Sequence, residues 1–155
     1  MQRIEKEVVE VKDASKYRVG IVVSNYYAEI TDELLAGALA TLKSWKVTEE
    51  NISITRVSGS FEIPYGCLSL LTQEEPDAII TLGVIVKGET DHDQYIAHAV
   101  AQGIMELTVK FEKPISFGVV TVNTLEQAIA RSIGTNNKGV ECAVAALEAA
   151  MLRKF

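Results

Sequence analysis

The stretch Leu82–Val100, LGVIVKGETDHDQYIAHAV, runs from an apolar strand into an amphipathic helix. Its first residues close a continuous apolar run, as a strand buried on both faces requires. Gly88 breaks that run, and Glu89, Thr90, Asp91 and His92 open a helix with Ile96, Val100, Ile104 and Leu107 on its apolar face. Strand, short glycine turn and helix form the repeating unit of an α/β protein. A helix start leaves backbone N–H groups unpaired and aims a partial positive charge outward, which favours a phosphate or another small anion. His92 falls in that first turn, where a side chain titrating near neutral pH can move protons for a ligand. Taken alone, the pattern fits two readings: an active-site corner, or a helix capped by Thr90 and Asp91 with His92 merely exposed.

Outward from this stretch the same alternation recurs. Arg18–Ser24, RVGIVVS, is a second continuous apolar run, followed by a helix from about Ile30 to Lys46. Thr31 is expected to cap that helix, Asp32 and Glu33 suit its positive end, and Leu34, Leu35, Ala38, Leu39 and Leu42 form its apolar stripe. Ile52–Val57 reads as a strand that leads into Gly59-Ser60-Phe61-Glu62-Ile63-Pro64. Pro64 there suits the first turn of a helix running through Leu68, Leu70 and Leu71. Asp77–Val86 and Ile115–Val122 complete the strands. Thr124 opens a short helix ending near Arg131, and residues 133–139 form a turn-rich break before a last helix, about Val140–Lys154. Strands alternating with helices predict a mostly parallel sheet with helices on both faces. Met1–Lys16 alternates charged and apolar positions, with Val8, Val9 and Val11 as a short strand, and is expected to be an edge or an arm pairing with another subunit. With no repeat or linker in view, residues 1–155 are expected to form one α/β unit, with 1–16 as its arm.

Composition narrows the function classes. Of 155 residues, 48% are hydrophobic and 23% charged, the balance of an ordinary soluble globular protein. Fifteen Lys and Arg against 21 Asp and Glu give a net charge of −6, which argues against a nucleic-acid partner while leaving room for one local anion site. No uncharged stretch is long enough to span a bilayer, and the charged start lacks a signal-peptide pattern, so a cytoplasmic setting is expected. Cys67 and Cys142 lie in apolar, helical surroundings and read as small core residues rather than a disulfide or metal ligands. His98 is six residues from His92, roughly 240° around an ideal helix, so the two need not converge. No HExxH or paired-cysteine pattern calls for a metal.

Two loop positions carry open alternatives. Tyr26 lies at the carboxyl end of a strand, where open α/β sheets bind ligands, and can stack on a planar ring or cover a core edge. Glu62 is either a helix-start acid or a carboxylate accepting hydrogen bonds from ligand hydroxyls.

Together the loops resemble lumazine synthase, the penultimate enzyme of riboflavin biosynthesis, over nearly the whole chain from Arg18. The motifs are GSFEIP from Gly59 to Pro64, GVIVKGETDH from Gly83 to His92, FGVVT from Phe117 to Thr121, Glu126-Gln127-Ala128, and the segment from Arg131 to Lys138-Gly139. The resemblance implies a flavodoxin-like fold, a three-layer α/β/α sandwich around a four-stranded parallel sheet. It implies condensation of 5-amino-6-(D-ribitylamino)uracil with 3,4-dihydroxy-2-butanone 4-phosphate to 6,7-dimethyl-8-ribityllumazine, phosphate and water, with no metal or redox cofactor. It also implies active sites between neighbouring subunits of pentamers, which in some members build an icosahedral shell, with riboflavin synthase as a further partner.

Residue by residue, the resemblance makes Tyr26 the platform for the uracil ring. Ser60, Phe61 and Glu62 match the ribityl-binding segment, and backbone groups of Val84, Ile85 and Val86 match those at the pyrimidine edge. Phe117, from the adjacent subunit, would close the apolar part of the pocket. Arg131, again from the neighbour, matches the phosphate-binding arginine, with backbone N–H groups of Glu89 and Thr90, and Lys138, close by. His92 matches the proton-transfer residue. Departures are visible too. Ser24-Asn25-Tyr26-Tyr27 replaces a Gly-Arg-Phe-Asn-like run, Tyr27 stands where a small polar residue is usual, and Lys87 where Arg is common. The turn from Arg131 to Lys138 looks one residue shorter than in many shell-forming relatives, which leaves pentamer, decamer and sixty-subunit shell open. A non-catalytic flavin or lumazine carrier is the rival reading; it would need neither His92 nor Arg131. A flavodoxin-like regulatory domain would want an acidic phosphoacceptor cluster at the strand ends, and none is evident.

Overall fold

Two strands sit at the centre of the sheet, and their sequences say why. β1 (Val19–Ser24) and β3 (Ala78–Val86) are apolar almost throughout, and all but the last residue of β3 is buried. β2 (Ile52–Val57) alternates half-buried and exposed positions, as an edge strand does, and β4 (Ile115–Val122) forms the other edge. All neighbours are parallel in the order β2-β1-β3-β4, with Val19 opposite both Ile52 and Ala78, and Ile79 opposite Ile115. The chain therefore steps outward from β1 to β2, then crosses back to β3, placing a topological switch point between β1 and β3. This computed structural model describes residues 9–153.

Among the described residues five helices cover the two faces: α1 (Ala28–Ser44), α2 (Ile63–Gln73), α3 (His92–Phe111), α4 (Leu125–Ala130) and α5 (Lys138–Ala150). The two-residue period of the strands divides the core between them. Val19, Ile21, Val23, Ala78, Ile80 and Leu82 pack with α1, α4 and α5, while Val22, Ile79, Ile85 and Val119 pack with α2 and α3. The result is the expected flavodoxin-like α/β/α arrangement. On the first face α5 lies so close to α1 that a Cβ at Gly139 would run into the carbonyl of Leu34. Cys67 and Cys142 pack into opposite faces, both with free thiols, and burial pushes them up to about 12 and about 11. Among the described residues no helix is long and apolar enough to cross a membrane.

Several expected boundaries move, each for a packing reason. α1 begins at Ala28 rather than Ile30, and Thr31 is not its cap; the Thr31 hydroxyl instead donates to the carbonyl of Ser24 at 2.7 Å, tying the helix to the end of β1. The capping position is Tyr27, in the left-handed region at φ 58° and ψ 49°. α1 ends at Ser44 because Trp45 turns into the core and Lys46 takes φ 68°. α3 starts only at His92, with the preceding residues forming a turn. α5 starts at Lys138, two residues early, because the Asn137 side chain accepts the Gly139 N–H at 2.8 Å, and it ends at Ala150. In the expected arm, Val8 lies outside the described residues, while residues 9–14 form no strand and leave Val9 and Val11 exposed. Ala14 anchors this segment, fully buried with its N–H on the Trp45 carbonyl at 2.7 Å.

Candidate active site

The carboxyl ends of β1, β2 and β3 open into a cleft of about 430 Å³ beside the switch point. Tyr26 and Tyr27 come from the end of β1, residues 59–62 from the end of β2, and residues 84–86 with Gly88 and Thr90 from the end of β3. His92, Asp93 and Ile96 come from the first turns of α3.

The walls are held by backbone pairing that outlasts the strands. Asn25 N–H donates to the Val57 carbonyl at 2.7 Å and Tyr26 N–H to that of Ser58 at 3.1 Å, so Tyr26 stays beside the Ser58-Gly59 turn. A 3-10 turn, Ser60–Glu62, then folds back over the sheet, burying Ser60 and leading into the buried Ile63 and half-buried Pro64 of α2. The Ser60 hydroxyl donates to the Val84 carbonyl at 3.3 Å. Gly83 makes this approach feasible: a Cβ there would lie 2.7 Å from Ser60 Oγ and 2.9 Å from Ile63 Cδ1. On the far wall the His92 N–H points to Thr90 Oγ1 at 3.4 Å, closing the turn from which α3 springs.

Chemically the cleft is two-sided. Tyr26 and Phe61 leave 64% and 61% of their surface exposed at the rim, a large apolar area for residues of their size. The same cleft is lined by the Glu62 carboxylate, the His92 imidazole and the N-terminal end of a twenty-residue helix. Flat apolar surface, hydroxyl acceptors, a titratable imidazole and a positive helix end can hold a planar polar molecule beside an anion. Asp93 adds a second carboxylate, one oxygen of which is buried with no hydrogen-bond partner.

Of the residues singled out in the sequence, Tyr26, Ser60, Phe61, Glu62, Val84, Ile85, Val86, Thr90 and His92 line this one cleft. Glu89 lies in the exposed turn beside it, outside the lining. Phe117, Arg131 and Lys138 do not reach the cleft of their own chain. Phe117 sits on β4, 45% exposed. Arg131 ends α4 with one guanidinium nitrogen donating to the Gln127 carbonyl at 3.0 Å, and Lys138 opens α5 with Nζ 2.8 Å from Glu141. Tyr27, Gly59 and Gly88 also line the cleft, noted in the sequence but given no role there, and sequence reasoning missed Asp93 and Ile96 as site residues. Ile96 is four residues beyond His92, hence on the same helix face, a signal that was available.

Residues 16–154 match the family model described as 6,7-dimethyl-8-ribityllumazine synthase. The chain belongs to the 6,7-dimethyl-8-ribityllumazine synthase family. Proteins of that name from Parabacteroides distasonis and Aquifex aeolicus are each 43% identical to it. The first aligns over 139 residues, 89% of this chain and 87% of the relative, and the second over 143 residues, 91% and 92%. One from Kosmotoga olearia is 41% identical over 138 residues, 88% of each chain. Lumazine synthases are transferases of riboflavin biosynthesis, and membership places this chain among them. The family match spans all the elements that build the cleft.

A second cavity of about 570 Å³ lies between α1 and α4. Leu125, Ile129 and Ile133 line it on one side, Ile30, Glu29 and Glu33 on the other, and Tyr27 belongs to the walls of both cavities.

Proposed function

We propose that this chain condenses 5-amino-6-(D-ribitylamino)uracil with 3,4-dihydroxy-2-butanone 4-phosphate, releasing 6,7-dimethyl-8-ribityllumazine, phosphate and water. One observation carries the proposal: in a chain of this family, Tyr26, residues 60–62, residues 84–86, Thr90 and His92 come from three separate loops to line one cleft. Tyr26 stacks on the uracil, and Glu62 accepts from the ribityl hydroxyls beside Ser60 and Phe61. Backbone groups of Val84, Ile85 and Val86 read the pyrimidine edge. The phosphate sits toward the turn before α3, on backbone N–H groups around Glu89 and Thr90. The Glu89 carboxylate would repel it, so that residue acts through its main chain.

The substrate amine attacks the ketone and expels a water to form a Schiff base, phosphate leaves by elimination, and ring closure releases a second water. Every step moves a proton, and in this reading His92, which lines the cleft from the first turn of α3, carries it. Seating both reactants in one cleft contributes at least comparably. The chemistry needs neither a metal nor a redox cofactor.

Phe117, Arg131 and Lys138 complete the site of a neighbouring protomer in this reading. Phe117 and Arg131 are exposed and Lys138 is half-buried, all outside their own cleft, which supports it, as does the shared backbone turn of Arg131 and Lys138. In this reading, as the family resemblance implies, the working enzyme is a cytoplasmic homo-oligomer built on pentamers, with residues 1–155 as one α/β unit and riboflavin synthase as a further partner. Mixing the purified protein with both substrates and following lumazine absorbance tests the function. Product formation that requires both substrates is expected. Tight lumazine binding with no product formed would make the protein a carrier, and a strictly monomeric yet fully active protein would end the shared-site reading.

A further inference from the structure

Tyr27 holds a backbone conformation that its side chain disfavours. At φ 58° and ψ 49° it lies in the left-handed region, where a Cβ crowds the following carbonyl and where Gly, Asn or Asp are the usual occupants. The other non-glycine residues at positive φ among the described ones are Lys46, Glu75 and Glu112, each at the carboxyl end of a helix, where such a turn is the common way to stop. Tyr27 instead precedes a helix and faces a cleft.

The conformation is pinned from both sides. The Tyr27 carbonyl accepts the N–H groups of Ile30 at 2.9 Å and Thr31 at 3.0 Å, and the Thr31 hydroxyl reaches back to Ser24. Strain that surrounding bonds over-determine concentrates at functional positions. The ring it presents stands edge-on to Tyr26, with centroids 4.7 Å apart and planes at 80°, a favoured aromatic geometry. Tyr26 is largely exposed, so this ring is a fixed neighbour for an otherwise open side chain. Tyr27 also belongs to the wall between the substrate cleft and the cavity under α4.

We propose that Tyr27 is a positioning residue: its edge-on ring sets the plane of Tyr26, and thereby the seat and the specificity for the flat substrate. This rests on the reading of Tyr26 as the stacking platform.

The test uses the assembled enzyme, varying each substrate in turn with Tyr27→Asn, Tyr27→Phe and Tyr26→Ala. Asn accepts the left-handed backbone, so Tyr27→Asn folds, with a melting midpoint at or above that of the wild type. Its KM for the pyrimidine substrate rises about 2- to 12-fold, the range an oriented aromatic pair supplies. Its kcat and its KM for the phosphate substrate stay within about twofold, a split that lost folding would not produce, and Tyr27→Phe, which keeps the ring, recovers the wild-type KM. An unchanged pyrimidine KM in Tyr27→Asn, beside a raised one in Tyr26→Ala, overturns the inference alone. An unchanged KM in Tyr26→Ala overturns the stacking reading and the inference with it. A loss in Tyr27→Phe as large as in Tyr27→Asn also overturns it, since the ring would then not be the active part.

Discussion

The backbone N–H of Lys138 donates to the carbonyl oxygen of Arg131 at 2.8 Å, so one closed turn carries both cations that the family resemblance assigns to phosphate. Their free charge differs. Arg131 uses one guanidinium nitrogen on the Gln127 carbonyl, whereas the Lys138 ammonium is paired with Glu141 at 2.8 Å. The planar fork of Arg131 thus keeps donors for a phosphate. Arg131→Ala should raise KM for the phosphate substrate by about 10- to 100-fold, as loss of charge-assisted hydrogen bonds does. Lys138→Ala should do less, and neither should shift the pyrimidine KM. Steady-state kinetics with each substrate varied checks this; an unaltered phosphate-substrate KM in Arg131→Ala removes that residue from the site.

His92→Ala should lower kcat without abolishing turnover. A positioned acid–base group contributes roughly 10²- to 10⁴-fold, and the low end is expected because the cleft still gathers both reactants. Turnover measured at saturation of both substrates decides it: no change would take His92 out of the mechanism.

Asn137 ties the turn between Arg131 and Lys138 to the core. Its amide donates to the carbonyls of Glu33 at 2.9 Å and Ser132 at 2.8 Å, while its oxygen caps α5 through the Gly139 N–H. Asn137→Ala removes a cap and strands part-buried carbonyls, and should cost about 2–4 kcal/mol. Urea unfolding measures that loss; a change below about 0.5 kcal/mol would show that the carbonyls find other partners.

The thiols make a pH prediction. Cys67 and Cys142 are pushed up from 9.0 to about 12 and about 11, chiefly by burial, so the folded chain holds these protons more tightly than the unfolded one. Their contribution to stability is intact below pH 9 and is lost as pH rises through about 11 and then about 12. Native protein at pH 8 should resist thiol alkylation. Between pH 9 and 11 the wild-type unfolding midpoint should fall further than that of Cys67→Ala, and equal slopes would contradict the assignment.

Ile52–Val57 and Ile115–Val122 could be delimited to the residue because β-branched runs bounded by turn residues are a local signal. Helix ends were less legible. Thr31 has the chemistry of a cap, but it sits one turn inside a helix that the end of β1 pulls forward. In the same way, Asn137 advances α5 through bonds to residues as distant as Glu33. The cleft was legible where motifs were contiguous, as at residues 59–64 and 83–92, and illegible at Asp93, whose residue type carries no signal of its own.

By itself, the sequence determined the alternation of strands and helices, which strands are buried on both faces, and the residue types carried by each loop. These follow from periodicity and turn chemistry, which act over a few neighbouring positions. The tertiary structure alone decided the order β2-β1-β3-β4, the left-handed turn at Tyr27, and the start of α5 at Lys138. Those depend on how distant segments close on one another, through contacts such as Gly83 against Ser60, that no local pattern encodes.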